Sequence, residues 1–359
     1  MATIEQPRQI DEEKLMQFVF RAVDEVGATV GAALVVMGDK LGLYRAMADG
    51  KPVTPAELAS RAGIAERYAR EWLAAQAAGQ YVDYDPDTGR FSLPAEHAEA
   101  LTNENSPAYV PGFFEIAVGT VLDSPKITDV AESGAGYGWG EHNHHVHEGC
   151  ERFFRTGYNA NLIDSWLPSL DGVVDKLERG AKVADLGCGH GASTILMAQS
   201  FPNSTFIGSD YHDGSIETAR QRAQEAGVAD RVTFEVTPAA GHPGTDYDLV
   251  TMFDCLHDMG DPVGAARRVR DLLAHDGTWM IVEPFAGDRL EDNLNPIGRT
   301  YYSFSTLLCT PASLSQEVGL ALGAQAGEAR IRDVVESGGL TRFRRATETP
   351  FNIVYEARP

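Results

Sequence analysis

Cysteine is scarce in this chain of 359 residues. Its four copies, Cys150, Cys188, Cys255 and Cys309, are scattered and form no CxxC pair. Neither a zinc site nor a disulfide framework is implied. Cys188 and Cys255 stand beside expected strand ends and read as small buried residues. Long apolar runs are missing too, and none approaches the roughly 20 residues that a membrane helix needs. Positive charge is in short supply, with 30 Lys and Arg against 52 Asp and Glu, a net charge of -22. That excess opposes a phosphate backbone, so nonspecific affinity for nucleic acid should be poor. Residues 1–14 are polar and acidic, unlike a secretory signal, and a cytoplasmic location is the expectation. No internal repeat or low-complexity segment is present.

What remains is long enough for two units. From residue 11 to about 47, apolar residues recur at helix spacing, among them Phe18, Val23, Val30 and Leu34. Thr54, Pro55 and Glu57 then spell a capping box at a helix start. A second helix is expected over 66–78. A hairpin follows, with strands at 81–84 and 90–93 around Asp85-Pro86-Asp87-Thr88-Gly89. Two helices and a hairpin make a winged helix-turn-helix. Residues 106–137 read as helical, 134–149 as an ordered loop, and 151–170 as an aromatic helix. Beyond 181, strands and helices alternate. Strands are expected at 182–186, 205–209, 232–236, 249–253 and 279–283. Helices are expected at 193–200, 214–226, 263–274 and within 314–337. Two closing strands at 341–346 and 351–356 suggest an antiparallel edge. The fold class is α/β, a mostly parallel Rossmann-like sheet of seven strands behind a mainly helical winged-helix domain.

One loop carries the most information. The first of these strands ends in Asp185-Leu186-Gly187-Cys188-Gly189-His190-Gly191, with a helix pattern after it. A dinucleotide fingerprint spaces its glycines as GxGxxG; here they stand at every second position. A carboxylate beside a pyrophosphate would repel it. Asp185 suits a ligand with an ammonium group, such as the methionine end of S-adenosylmethionine (SAM). Gly187, Gly189 and Gly191 let the backbone approach that ligand. The next strand ends at Asp210-Tyr211. An acid there can accept both ribose hydroxyls, and the tyrosine can pack on adenine. The alternative is an ordinary tight turn between strand and helix.

Residues 181–283 resemble a class I SAM-dependent methyltransferase. With the winged-helix front, the whole chain resembles the actinobacterial and animal two-domain methyltransferases. It is more distantly similar to caffeic-acid-type O-methyltransferases. The resemblance implies SAM as cofactor, with Phe253 and Asp254 at the fourth strand end beside it. It places a helix carrying Phe154 and Tyr158 over the cofactor, with Tyr158 near the carboxylate. Many such enzymes hold the adenine amino group with an acid after the third strand. Pro238 stands there instead, leaving Thr237 or backbone to take that part.

The resemblance also assigns catalysis. Leu256-His257-Asp258 is similar to the His-Asp pair that carries the O-methyltransferase base. An imidazole with a pKa near 6.5 suits removal of a proton from a phenol or acidic hydroxyl. Glu283 ends the fifth strand and is expected to orient His257. The competing reading has His257 capping the next helix and Glu283 paired with a surface charge. Tyr301, Tyr302, Phe304, Leu307 and Leu308 either line an apolar acceptor pocket or form helix core. His142, His144, His145 and His147 can bind a divalent metal, or make a polar loop over the SAM pocket; no metal site is assigned.

The expected organisation is a winged-helix and dimerisation domain at 1–105, a helical cofactor-covering segment at 106–170, and a SAM-binding domain at 171–359. The expected function is methyl transfer to oxygen of a small apolar or aromatic acceptor by a homodimer. A transcription regulator is the rival, as is a SAM-binding protein without catalysis. Against DNA binding, Arg67 and Arg70 are offset by Glu66 and Glu71, and the wing carries Asp83, Asp85 and Asp87.

Overall fold

Asp11 starts the first helix. In the computed structural model, which describes residues 10–359, its carboxylate accepts the Glu13 and Lys14 backbone N–H groups at 3.1 and 3.2 Å. Residues 1–9, where the polar N-terminal stretch begins, lie outside the described residues. Helix α1 (Glu12–Lys40) stops short of the expected residue 47. Gly42, at φ +69°, turns the chain into a short 3-10 turn, Arg45–Met47. Helix α2 (Pro55–Ala62) has the capping box: Thr54 Oγ1 accepts the Glu57 N–H at 3.2 Å, and Glu57 accepts the Thr54 N–H at 2.8 Å. Helix α3 (Glu66–Ala78), strands β1 (Asp83–Asp85) and β2 (Arg90–Ser92), and helix α4 (Ala95–Thr102) complete the winged helix. Its core gathers Leu43, Met47, Leu58, Trp72 and Leu73. The Trp72 indole donates to the Leu34 carbonyl at 2.9 Å, which satisfies its polar edge.

The chain divides into two compact units, residues 1–118 and 119–359. The boundary falls within helix α5 (Pro111–Ser133), so the 106–170 segment is shared between them.

In the second unit, helix α6 (His144–Asn161) begins inside the stretch expected to be a loop. Asn143 caps it by accepting the His145 N–H at 3.1 Å, and this cap outweighs the glycines that suggested a loop. A π-helical turn, Leu162–Trp166, and helix α7 (Val173–Arg179) follow. Then come β3 (Lys182–Leu186), α8 (Ala192–Ser200), β4 (Thr205–Asp210), α9 (Asp213–Glu225), β5 (Val232–Val236), β6 (Tyr247–Phe253), α10 (Pro262–Leu272) and β7 (Leu273–Pro284). Strand β7 has 12 residues, far more than expected. Its extension is possible because Gly277 lets the backbone approach Tyr247: a Cβ there would meet the Tyr247 carbonyl at 2.7 Å. Helices α11 (Pro296–Phe304), α12 (Thr310–Leu314) and α13 (Gly327–Ser337) and strands β8 (Arg342–Glu348) and β9 (Asn352–Arg358) close the chain.

The sheet order is β5-β4-β3-β6-β7-β9-β8. All pairs from β5 to β7 are parallel, while β9 is antiparallel to both of its neighbours. The reversed strand thus sits one place in from the edge. Val183, Phe206, Leu249 and Met280 pack on one face; Ala184, Val250, Met252 and Ile281 pack on the other. Burial on both faces explains why these strands read as continuous apolar runs. Parallel order also puts the C-terminal ends of β3, β4, β6 and β7 along one edge, where open α/β sheets bind ligands. Among the described residues, no helix is long and apolar enough to cross a membrane.

Candidate active site

The glycine loop is built by hydrogen bonds from the neighbouring strand. Gly187 and Cys188 donate their N–H groups to the Ser209 carbonyl at 2.8 and 3.0 Å. Gly187, Gly189 and Gly191 all have positive φ, at +73°, +51° and +77°, a region that strains other residues. Their surroundings differ. A Cβ on Gly191 would meet Phe234 at 2.7 Å, and one on Gly187 would meet the Cys255 sulfur at 2.8 Å. A Cβ on Gly189 would meet nothing within 4 Å. Two glycines therefore serve packing, and Gly189 opens onto free space.

Asp185, expected to meet an ammonium group, is braced within the protein. It is 1% exposed, and both carboxylate oxygens are engaged inside the protein. Ser193 and Thr194 donate to Oδ2 at 2.7 and 2.6 Å, and Thr251 donates to Oδ1 at 2.9 Å. Burial pushes its pKa up, against the pull of these three hydroxyls. Its work is to tie β3 to α8 and β6, which fixes the loop. The sequence signal was present in Ser193, Thr194 and Thr251, but only the fold reveals their convergence.

Asp210 ends β4 with Oδ2 accepting the Gly189 N–H at 3.0 Å and Oδ1 accepting the His212 N–H at 2.9 Å. Burial raises its pKa, partly offset by these donors. Tyr211 stays half-exposed beside it. Thr237 donates its N–H to the Asp210 carbonyl at 2.9 Å. Pro238 precedes a single turn, Ala239–Gly241.

The β6 end supplies the second half of the site. His257 and Glu283 are both buried, and His257 Nδ1 lies 2.6 Å from Glu283 Oε2. Glu283 Oε1 accepts the Leu256 N–H at 3.1 Å, so one carboxylate holds both the ring and its backbone. Burial alone would lower the His257 pKa. Glu283, then Cys309, outweighs it and holds the imidazole well above its ordinary value. Helix α10 is capped instead by Asp261, whose side chain accepts the Gly264 N–H at 2.8 Å. Asp258 is partly covered, and desolvation pushes its carboxyl up to about 7.

Aromatic groups wall the site. Phe253 lies 5.0 Å from Tyr158 between ring centroids, and Tyr158 stacks toward Phe154 at 6.4 Å. Tyr301 is buried, with its hydroxyl donating to the Phe351 carbonyl at 3.0 Å. Leu308 is buried too, whereas Tyr302, Phe304 and Leu307 are only partly covered. Among the histidines of 142–147, His142 Nδ1 lies 3.2 Å from Asp123, the rings of His144 and His145 lie 4.1 Å apart, and His147 stacks on His212 at 5.5 Å. Cys309 beside His257 and Asn352 beside Asp254 escaped the sequence reading. They lie far along the chain in segments without a motif.

The Rv2258c-like winged helix-turn-helix family model matches residues 29–103, and a methyltransferase-domain model matches 177–315. The second match spans the glycine loop, Asp210 and the His257–Glu283 pair. Residues 177–315 thus carry a methyltransferase domain. Curated relatives of this domain include 27-O-demethylrifamycin SV methyltransferase from Amycolatopsis mediterranei, 31% identical over 39% of this chain and 50% of that protein. The chain spans about half the length of the curated relatives it matches. Whole-chain likeness comes from solved structures and shows the fold. Human N-acetylserotonin methyltransferase, solved with SAM, is 15% identical with a TM-score of 0.68, covering 100% of this chain and 99% of that one. The mitomycin 7-O-methyltransferase MmcR is 18% identical with a TM-score of 0.69, covering 97% and 100%.

The methyltransferase domain's own geometry fits SAM, a cofactor without phosphate. Gly189 leaves open space that a side chain would fill. The strand that follows ends in the carboxylate of Asp210, a group suited to ribose hydroxyls.

Proposed function

We propose that this protein is a SAM-dependent methyltransferase acting on oxygen of a small apolar or aromatic acceptor, with His257 as general base. The buried His257–Glu283 pair, set across from the glycine loop at the same sheet edge, carries this reading. Bound SAM supplies an electrophilic methyl group. Glu283 accepts the Nδ1–H of His257, which leaves Nε2 as the proton acceptor for the hydroxyl being methylated. Burial keeps water from competing with that hydroxyl. Gly187, Gly189 and Gly191 shape the cradle, and Asp185 holds it. Asp210 takes the ribose hydroxyls, Tyr211 covers adenine, and Thr237 with local backbone replaces the acid missing at Pro238. Tyr158, Phe253 and Asp254 border the methionine end. Tyr301 and its neighbours supply the apolar side of the acceptor pocket.

In this reading residues 1–105 dimerise, 106–170 cover the cofactor and 171–359 bind it, in a cytoplasmic enzyme. The exposed apolar side chains of α1, which include Phe18 at 65% and Phe20 at 68%, support a homodimer through the first unit. Calorimetric titration with SAM and S-adenosylhomocysteine tests the central claim. Saturable binding of both is expected, and binding of neither would overturn it.

A further inference from the structure

Asp254 combines two costs at one position. It is a non-glycine residue at φ +49°, in the left-handed region, and its Oδ2 is buried without a hydrogen-bond partner. Left-handed backbone is strained at a residue with a side chain, and a buried oxygen without a partner has lost its water for nothing in return. Such costs persist where the surrounding structure enforces them, and they cluster at binding sites.

The surroundings do enforce them. The Asp254 N–H donates to the Val282 carbonyl at 2.8 Å, which pins the turn to β7. Asn352 Nδ2 donates to Oδ1 at 2.8 Å, which fixes the carboxyl from β9. Only one oxygen is thereby satisfied. The residue as a whole is not fully covered. It directly precedes Cys255, whose sulfur closes on Gly187 at the floor of the cradle. Tyr158, Tyr301 and Cys150 lie within its electrostatic reach. Glu283 and Asp258 also face it, so the neighbourhood holds several acids, against which the imidazole of His257 is already paired. Burial first, then Glu283, keeps the Asp254 carboxyl well above the usual carboxylate range.

The cation already here, the His257 imidazole, is committed to Glu283. SAM carries one at its amino-acid end, and the acid expected to meet it, Asp185, is consumed by three hydroxyls. We propose that Asp254, held by Asn352, receives the α-ammonium of the bound cofactor through its unpaired oxygen. This inference rests on the SAM reading above and gives the methionine end its missing partner.

The test pairs a protein change with a ligand change. Calorimetry compares S-adenosylhomocysteine with its analogue lacking the α-amino group, S-(5′-adenosyl)-4-thiobutyrate. Wild-type protein should prefer the amino form at least tenfold, and Asp254→Asn should lose that preference to within twofold. The ratio is taken within each protein, so a general loss of affinity cancels. Asn352→Leu serves as the second variant if Asp254→Asn does not fold, and should cut the preference at least threefold. An undiminished preference in either variant, or none in wild type, would overturn the ammonium contact. Failure of wild type to bind either ligand would instead overturn the SAM reading.

Discussion

At the residue scale, the His257–Glu283 pair decides the chemistry. Nδ1 is committed to Glu283 at 2.6 Å, so the ring acts through Nε2. His257→Ala should cost a factor of about 10²–10⁴ in kcat for any acceptor identified, a typical contribution of a positioned base. SAM affinity should be retained, and unchanged turnover would remove His257 from the mechanism. Glu283 holds the imidazole pKa above its ordinary value. The base works only when deprotonated, so kcat should rise with pH along a limb centred above 6.5. Glu283→Gln removes a cause of the upward shift, so the limb should move to lower pH while the plateau falls. A limb that stays in place would show that Glu283 does not tune the base. That His257 and Glu283 meet was legible because Glu283 lies at the end of β7 and His257 in the turn just after the neighbouring β6. The engagement of Asp185 was not legible, because its partners, Ser193, Thr194 and Thr251, come from two other elements.

At the element scale, the glycine loop separates packing from binding. Gly189→Ala adds a methyl group into open space, at the price of left-handed strain of ~1 kcal/mol. Gly191→Ala drives a methyl group against Phe234 and Ala219, and overpacking of that kind costs about 1–3 kcal/mol beyond the strain. Thermal melts should show Gly191→Ala as the less stable of the two. Calorimetry should show at least a tenfold loss of S-adenosylhomocysteine affinity in Gly189→Ala while its fold persists. Equal affinity in Gly189→Ala and wild type would mean that the open space is not the cofactor's. Most elements were legible because periodicity and caps are local signals, as at Thr54 and Glu57. The start of α6 was not, because one Asn143 cap outweighed a glycine-rich composition. The long β7 was hidden too, since Gly277 and its approach to Tyr247 are contacts between strands.

At the scale of the whole molecule, buried neutral histidines set a pH limit on stability. His242 is fully buried, with Ser209 Oγ 2.8 Å from Nδ1 and Tyr247 OH 3.2 Å from Nε2. Burial first, then Arg268 and Lys182, pushes its pKa down to about 4. The unfolded chain takes up a proton near 6.5, and the folded chain resists it down to about 4. Stability should therefore be full above pH 6.5 and fall as pH drops toward 4, by up to ~3 kcal/mol from this group. Melting temperatures across that window should fall less steeply in His242→Gln, and an identical slope would assign the loss elsewhere. The exposed apolar side of α1 bears on assembly. Val23→Glu with Val30→Glu, which share one exposed face, should convert a dimer to monomer in light scattering, and a dimer that survives would exclude this face. Cations on α3 are spoken for, with Arg67 paired to Glu71 and Arg70 to Glu66, which agrees with the acidic balance of the chain. By itself the sequence determined the alternation of strands and helices, the glycine cradle and the acidic surface, because these rest on composition and on spacings within a few residues. Only the tertiary structure decided which carboxyl groups are spent and which are free, since hydrogen-bond saturation depends on partners that lie 8 to 98 positions away in the chain. Asp185 and Asp254 look alike in sequence, and the fold makes one a brace and leaves the other with an oxygen to offer.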